Sequence, residues 1–464
     1  MSLRLESHLR LFQGIIPSGL ATCAPDGTPN VTLISQVFYV DSSHVALSCQ
    51  FFNKTARNLL ANPRATVELW DPVTFEAFQL GLRYVRSEKQ GPLFEKMSNR
   101  IDAIASHTGM AGVFKLRSAD VCEVLHLRKS EGFLEPVETC DGKDGSVPVP
   151  DGPMTELRAL SLISCRVNRA KDLDTLLKDA LVALDELFSF RHSMILLKEE
   201  PCDTLVAIAS HGYDETGVAA VGAEVPMGAG LIGTVAERRV PLLITGLDAQ
   251  LRYSRATRDS FEKIHGASKL CAEIPLRGLP DAESQLALPL LVEDRLLGVL
   301  AIESRDPLAF AEWHEAFLQV LANQIAMGID RLTEPDEDDA APPPALRVAA
   351  SPQATPSGHR LVYYKADDSV FVDGEYLIRN VPGKILWRLL TSWRDGRREF
   401  TNRELRLDTS LGLPAYKDNL ESRLILLKKR LEQKCPDIRI VPVRRGRFAL
   451  DVGCAVELGE ALDS

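Results

Sequence analysis

Basic residues and aromatic rings are both in short supply in this chain of 464 residues. Lys and Arg number 54 against 64 Asp and Glu, a net charge of −10, and aromatics make up 6% of the composition. A chain repelled by phosphate overall is excluded as a whole-length nucleic-acid coat, so any such contact must belong to one part of it. Long apolar runs are missing too. Leu286–Val292 and Leu296–Ile302 are split by Glu293, Asp294 and Arg295, far short of the about 20 residues a membrane helix needs. Met1–Arg10 is charged and has no apolar h-region, so neither a secretory leader nor a membrane partner is expected. The nine cysteines are scattered, odd in number and without a C-x-x-C pair. Reduced thiols in a cytoplasmic protein are the simplest account.

What is present is ordinary globular composition, 45% hydrophobic and 25% charged, with length for about three domains. Two stretches mix Pro, Gly and acid without periodicity, 136–153 and 333–359, and neither can bury enough apolar surface to fold. The expected organisation is therefore a domain over 1–135, a linker, a domain over 154–332, a Pro-rich acidic linker, and a domain over 360–464. Charge sharpens the last boundary. From His359 to Val452 there are twenty Lys/Arg against thirteen Asp/Glu, a local excess of seven. One basic domain on an acidic chain reads as a nucleic-acid reader wired to something else.

In the first block Ser18–Cys23, Thr32–Val40 and His44–Cys49 read as strands between the turn signals Pro25-Asp26-Gly27 and Asp41-Ser42-Ser43. Phe51–Arg64 reads as a helix stopped by Pro63, followed by the strand Ala65–Trp70. Lys54, Thr55 and Arg57 beside the free amides of a helix start form a candidate phosphate site, the alternative being a solvated first turn. The stretches GLATCAPDGTPNVTLIS and NKTARNLLANPRATV resemble the pyridoxamine-phosphate-oxidase-like split β-barrel family, from Pro17 to about Arg128. The resemblance implies FMN at a dimer interface, with Lys54, Thr55, Arg57 and Asn58 facing the flavin phosphate. It places the backbone of Leu33, Ile34 and Ser35 against the flavin ring. Thr55 stands where the family commonly has a cation, and Asn30–Gln36 lacks the Arg and Lys of the true oxidases, so vitamin oxidation is not expected. A haem-binding relative is the alternative, with His107 or His126 as ligand, although a lone histidine is more often structural.

In the second block Gly228-Ala229-Gly230-Leu231-Ile232-Gly233 spells G-x-G-x-x-G. Only Thr234–Arg239 separates it from the next apolar strand, Val240–Thr245. That is too short for the crossover of roughly 10 residues a dinucleotide fold requires. The stretches MGAGLIGTVAERRVPLLITGL and ALPLLVEDRLLGVLAIESRDPLAF, with the flanking helices, resemble a GAF domain instead. The resemblance implies an antiparallel sheet with flanking helices, a small-molecule ligand and a dimerisation role. Helical stripes are expected through Leu157, Leu160, Ser164 and Val167, and through Leu173, Leu176, Ala180, Leu184 and Leu187. The closing helix carries two, Trp313-Phe317-Val320-Gln324 and Leu318-Leu321-Ile325-Ile329, one for the sheet and one for a partner helix. The Asn-Lys pair of the cyclic-GMP signature is missing near Glu303–Arg305, so the ligand stays open. Cys165, Cys202 and Cys271 are candidate oxidant sensors or core filler.

The third block reads as strands Leu361–Tyr364, Val370–Val372 and Tyr376–Arg379, a helix Gly383–Trp393, and a helix led by Thr401 with the capping-box partner Glu404. A long helix from about Lys417 to Gln433 and a hairpin Arg439–Val452 follow. This order resembles the winged-helix output domain of response regulators, on NLESRLILLKKRLEQK and IRIVPVRRGRFAL. The resemblance implies base reading by the long helix and phosphate contact by the hairpin, with Arg423, Lys428, Arg430, Arg444, Arg445 and Arg447 as DNA contacts. Ile425, Leu426 and Glu421 depart from a reading face, and a protein-docking role is the alternative.

The sequence thus leads to a multidomain α+β protein: split β-barrel, GAF domain, winged helix. The expected function is a homodimeric, ligand- or redox-responsive transcriptional regulator with DNA and a small-molecule effector as partners. The competing expectation is an FMN-dependent oxidoreductase with regulatory appendages.

Overall fold

The computed structural model describes residues 5–50, 53–130, 153–199, 203–213, 223–276, 278–333, 358–411, 420–444 and 446–461. Most of both expected linkers, Cys202 and Arg445 lie outside the described residues. The first domain is one antiparallel seven-stranded sheet of β1 (Ser18–Cys23), β2 (Pro29–Ile34), β3 (Val37–Asp41), β4 (His44–Cys49), β5 (Arg64–Trp70), β6 (Ala77–Glu88) and β7 (Ser118–Lys129). Its order is β2-β1-β5-β6-β7-β4-β3. Two helices, α1 (Asn53–Ala61) and α2 (Pro92–His107), complete it. The single strand expected over Thr32–Val40 is two strands with a corner at Ser35-Gln36. Gln36 turns inward there and donates from Nε2 to the Phe12 carbonyl at 2.6 Å. Gly14, at φ 74°, leaves the space, since a Cβ would sit 2.9 Å from Gln36 Cγ. Alternation buries Leu20, Val67, Leu69, Leu80 and Leu82 in the barrel, as a half-buried sheet requires.

The second domain runs α3 (Pro153–Arg169), α4 (Leu173–Phe188), β8 (His192–Glu199), β9 (Thr204–His211), β10 (Glu224–Pro226), α5 (Gly230–Arg238), β11 (Leu242–Thr245), α6 (Leu247–His265), β12 (Ser284–Val292), β13 (Arg295–Ser304) and α7 (Glu312–Thr333). The sheet order is β10-β9-β8-β13-β12-β11, antiparallel throughout. Helices α3, α4 and α7 cover one face through Leu176, Leu184, Leu318, Leu321 and Ile325. Helix α5 closes the other with Leu231, Ile232 and Val235. The α3 stripe is turned by about one residue from expectation. Ala159, Ile163 and Val167 are buried while Leu160 and Ser164 are half-buried, because α3 packs on both α4 and α7. On α7 the sheet stripe is buried as expected, whereas Val320 on the second is exposed.

The third domain runs β14 (His359–Tyr364), β15 (Ser369–Val372), β16 (Glu375–Ile378), α8 (Asn380–Arg394), β17 (Glu399–Thr401), α9 (Asn402–Leu407), α10 (Leu420–Lys434), β18 (Ile438–Arg444), β19 (Arg447–Val452) and β20 (Val456–Ala461). One sheet is ordered β16-β15-β14-β20, the other β17-β19-β18. Both halves of the capping box at Thr401 and Glu404 form. Strands β17 and β20 have no counterpart in the sequence reading. β20 joins β14 in a parallel register, Leu361 opposite Leu458, a non-local pairing that local pattern cannot announce. Helix α10 is buried nearly all round: Leu420, Leu427 and Leu431 face their own domain's core, and Arg423, Ile425 and Leu426 are buried on other sides. Beyond α8, α9, β16 and β18 of its own domain, it contacts α4 and β9 of the second.

Candidate functional site

At the barrel the residues expected to meet a flavin divide into two groups. Lys54 and Arg57 are exposed on α1, while Thr55 and Asn58 are buried. The buried pair is tied to the strands: Asn30 Nδ2 donates to Thr55 Oγ1 at 3.0 Å and to Thr22 Oγ1 at 3.2 Å, and Asn58 Nδ2 donates to Thr22 Oγ1 at 3.2 Å. Thr55 and Asn58 therefore lock α1 to β1 and β2, while the side chains of Lys54 and Arg57 reach the surface. Leu33 points outward at 60% exposure and Ile34 inward at 1%, the alternation a strand dictates. β2 is an edge strand, so its outer backbone groups are unclaimed by the sheet and can face a ring. Ser35 lies with Gln36, Gln50, Arg100 and Tyr253 around a small cavity between the barrel and the second domain. The residues fit a flavin at β2 and α1 with two cations rather than a full set.

Of the two haem candidates, His107 is not set up as a ligand. His107 is buried with both ring nitrogens engaged: Nδ1 lies 2.9 Å from the Ile274 carbonyl, and Nε2 accepts from the Leu231 amide at 3.2 Å. That pattern fixes the neutral tautomer protonated at Nδ1, in keeping with burial holding its pKa below the usual histidine value. His126 lies across Gly81, where any Cβ would collide with the ring.

His107 belongs to a seam that the sequence reading missed. Ser106 Oγ accepts from the Gly230 amide at 2.8 Å, so two consecutive side chains from the end of α2 satisfy the first free amides of α5. Helix starts normally find such partners locally; here another domain supplies them. Gly230, at φ 62°, is required because a Cβ would lie 2.7 Å from the His107 ring. The G-x-G signal thus marks a docking point between domains. Around it Arg258 Nη1 donates to the Thr108 carbonyl at 2.6 Å and Thr108 Oγ1 meets Ser254 Oγ at 2.7 Å. Arg100 donates to the carbonyls of Leu243, Gln13 and Thr245 at 3.2–3.4 Å, and burial lowers its pKa to about 10.

Inside the second domain the α5 side of the sheet holds a buried acid, Glu303, 1% exposed. It accepts from the Leu279 amide at 2.5 Å, Gln285 Nε2 at 2.7 Å and Tyr213 Oη at 3.1 Å. Burial raises its pKa to about 7 against these three donors. Gly278 has no room for a Cβ beside that carboxylate. A lone Glu ending the apolar run of β13 was the available signal. Cys165 and Cys271 are exposed, and the Cys271 amide donates to the Gly109 carbonyl across the seam at 2.9 Å.

In the third domain the expected DNA contacts do not line one open face. Lys428 Nζ and Lys429 Nζ lie 4.0 and 3.9 Å from Asp174, and Lys429 Nζ donates to the Ile208 carbonyl at 2.8 Å. Arg423 is buried near Glu199, whose pKa burial raises and that guanidinium lowers. Arg430 lines an open cleft with Glu224, Tyr376 and Arg379, where Arg379 pairs with both oxygens of Glu224 at 2.8 and 3.0 Å. Arg447 lies 3.6 Å from Glu399. The Arg444 side chain and all of Arg445 lie outside the described residues. Glu421 is tied by Arg406 at 2.8 and 2.9 Å and by Asn402 at 2.9 Å, a brace between α9 and α10. The faces of α10 expected on DNA are turned to the second domain in this conformation.

Residues 8–118 match the family described as pyridoxamine 5'-phosphate oxidase, and residues 172–329 match the GAF domain family. No curated protein matches the chain. Among solved structures, the GAF domain of a phosphoenolpyruvate-protein phosphotransferase from Coxiella burnetii is 25% identical, covering 38% of this chain and 94% of its own, with a TM-score of 0.30. An FMN-binding protein from Syntrophomonas wolfei is 15% identical over 28% of this chain and 90% of its own, TM-score 0.23. A free methionine-R-sulfoxide reductase from Neisseria meningitidis is 18% identical over 39% and 93%, TM-score 0.30. The chain therefore joins an oxidase-type barrel to a GAF domain. Among the described residues no helix is long and apolar enough to cross a membrane.

Proposed function

We propose that this chain is a ligand- or redox-responsive transcriptional regulator whose barrel and GAF domain act as inputs to a winged-helix, DNA-binding C-terminal domain. One observation carries the reading: the basic helix α10 is docked on the GAF domain beside Asp174 and Glu199. Exposure of that helix is thereby coupled to the state of the GAF domain. The order of sheet, α8, α9, α10 and hairpin supports a helix for the major groove and an adjoining wing. Arg423, Lys428 and Arg430 reach DNA only after α10 leaves the GAF domain; Arg444, Arg445 and Arg447 act from the hairpin. Lys54 and Arg57 hold the phosphate of FMN, which supplies redox chemistry when bound. A second copy of the chain covers the outward apolar residues Val31, Leu33, Val320 and Met327, setting the spacing of two wings.

The test is fluorescence anisotropy of duplex DNA from upstream of the protein's own gene, titrated with the full chain and with Asp174→Lys/Glu224→Lys. The released variant binds at least tenfold tighter, with affinity falling steeply as salt rises. Absence of salt-sensitive binding by both chains overturns the reading. The rival, an FMN-dependent oxidoreductase, is favoured by the oxidase family match and is recognised by NAD(P)H turnover without DNA retention.

A further inference from the structure

Three loops of the C-terminal domain meet at the root of its hairpin. His359 opens β14, Asp437 sits in the turn between α10 and β18, and Cys454 sits in the turn between β19 and β20. Backbone hydrogen bonds hold these segments to one another: the His359 amide donates to the Ala455 carbonyl at 2.9 Å, and the Gly453 amide to the Asp437 carbonyl at 2.8 Å. One imidazole nitrogen, one carboxylate oxygen and the thiol sulfur consequently lie within 4.8 Å of one another. His359 is oriented from behind. Its Nδ1 meets Asp373 Oδ2 at 2.6 Å, and Asp373 Oδ1 accepts from the Arg360 amide at 2.8 Å. The other ring nitrogen, Nε2, is then directed at Asp437 Oδ2, 3.3 Å away.

We propose that His359, Asp437 and Cys454 form a divalent metal site of the zinc class, with Asp373 as the positioning residue for His359. Imidazole, carboxylate and thiolate together favour zinc or cobalt over calcium or magnesium, which prefer oxygen. Ligand atoms at about 2.0–2.3 Å from a tetrahedral ion stand roughly 3.3–3.8 Å apart. The imidazole–carboxylate separation already meets that, and a small rotation of the Cys454 side chain would close the rest. A carboxylate behind a ligating histidine is the usual support for such a ring. Three protein ligands leave a fourth position for water. Binding expels the thiol proton of Cys454 and any proton shared between His359 and its carboxylates, so affinity rises with pH. The metal would fasten the strand that follows the second linker to the root of the hairpin, fixing the angle of the wing. This holds whether or not the hairpin meets DNA.

The experiment is cobalt titration of the full chain, chelator-treated and kept reduced with a phosphine, following the thiolate-to-cobalt charge-transfer band. The expected result is one equivalent per chain, displaced by zinc, and lost in Cys454→Ser and in His359→Ala while circular dichroism stays unchanged. Asp373→Asn keeps all three ligand atoms and weakens binding about 10- to 100-fold. No band at stoichiometric cobalt, or a band indifferent to Cys454→Ser and His359→Ala, overturns the site. Should those variants fail to fold, an unaltered cobalt affinity in Asp373→Asn overturns it instead.

Discussion

Replacing Gly230 by Ala measures how firmly the barrel grips the GAF domain. Two costs add. Gly230 sits at φ 62°, where an L side chain costs about 1–2 kcal/mol. The new Cβ would also lie 2.7 Å from His107 Cε1 and 2.9 Å from Nε2. Reaching an ordinary carbon contact of about 3.5 Å moves the ring by roughly 0.8 Å and removes the 3.2 Å acceptor from the Leu231 amide. Losing a helix-start acceptor costs about 1 kcal/mol. The expected total is about 2–3 kcal/mol. Gly228→Ala is the control: its φ is 74°, but its Cβ meets only the tip of Glu237 at 3.4–3.5 Å, so only the first cost applies. The difference, about 1 kcal/mol, is a roughly fivefold easier opening of the seam. Amide hydrogen exchange over residues 229–236 and 104–110 reads it directly, with urea melts alongside. Equal effects of the two substitutions, or unchanged exchange at the α5 start in Gly230→Ala, would refute the docking argument.

Glu303 gives a pH prediction. Its folded pKa of about 7 lies above its ordinary value of 4.5, so between those values the folded state binds more protons and stability falls as pH rises. The contribution is at most about 3 kcal/mol; Glu303→Gln should flatten the slope of melting temperature from pH 4.5 to 7, and an unchanged slope counts against it. Thr401→Ala removes a capping side chain 3.2 Å from the Glu404 amide and should cost about 1 kcal/mol in denaturant midpoint measurements. Lys54→Glu with Arg57→Glu should weaken FMN binding at least tenfold by flavin fluorescence titration, while Thr55→Ala lowers melting temperature more than flavin affinity. The reverse ranking would return Thr55 to the phosphate.

Local patterns carried much of the architecture. The capping box, the Glu293-Asp294 turn and the strands β1, β5, β12 and β13 all follow from spacing and turn chemistry within a few residues. What stayed hidden depends on partners distant in sequence. The short crossover already argued against a nucleotide loop at Gly230, but nothing local announces that Ser106 and His107 reach the start of α5 from 124 positions upstream. Thr55 and Asn58 look like phosphate ligands until Thr22 and Asn30 claim them. Glu421, Ile425 and Leu426 made α10 an awkward reading helix, and the awkwardness was informative: a helix buried nearly all round has more than one neighbour. The parallel β14–β20 pair lay beyond any local rule.

Two of the grips on the GAF domain, one from each neighbouring domain, fall within a single short span. Glu224, which holds Arg379 of the C-terminal domain, and Gly230-Leu231, held by Ser106 and His107 of the barrel, are separated by only the β10 end and the Gly-rich bend. The eight residues from Glu224 to Leu231 thus act as a yoke between two loads, with too little slack for one end to shift alone. One residue inserted between Pro226 and Gly230 would put the two ends out of step, so this span should tolerate length change worse than any exposed loop in the protein.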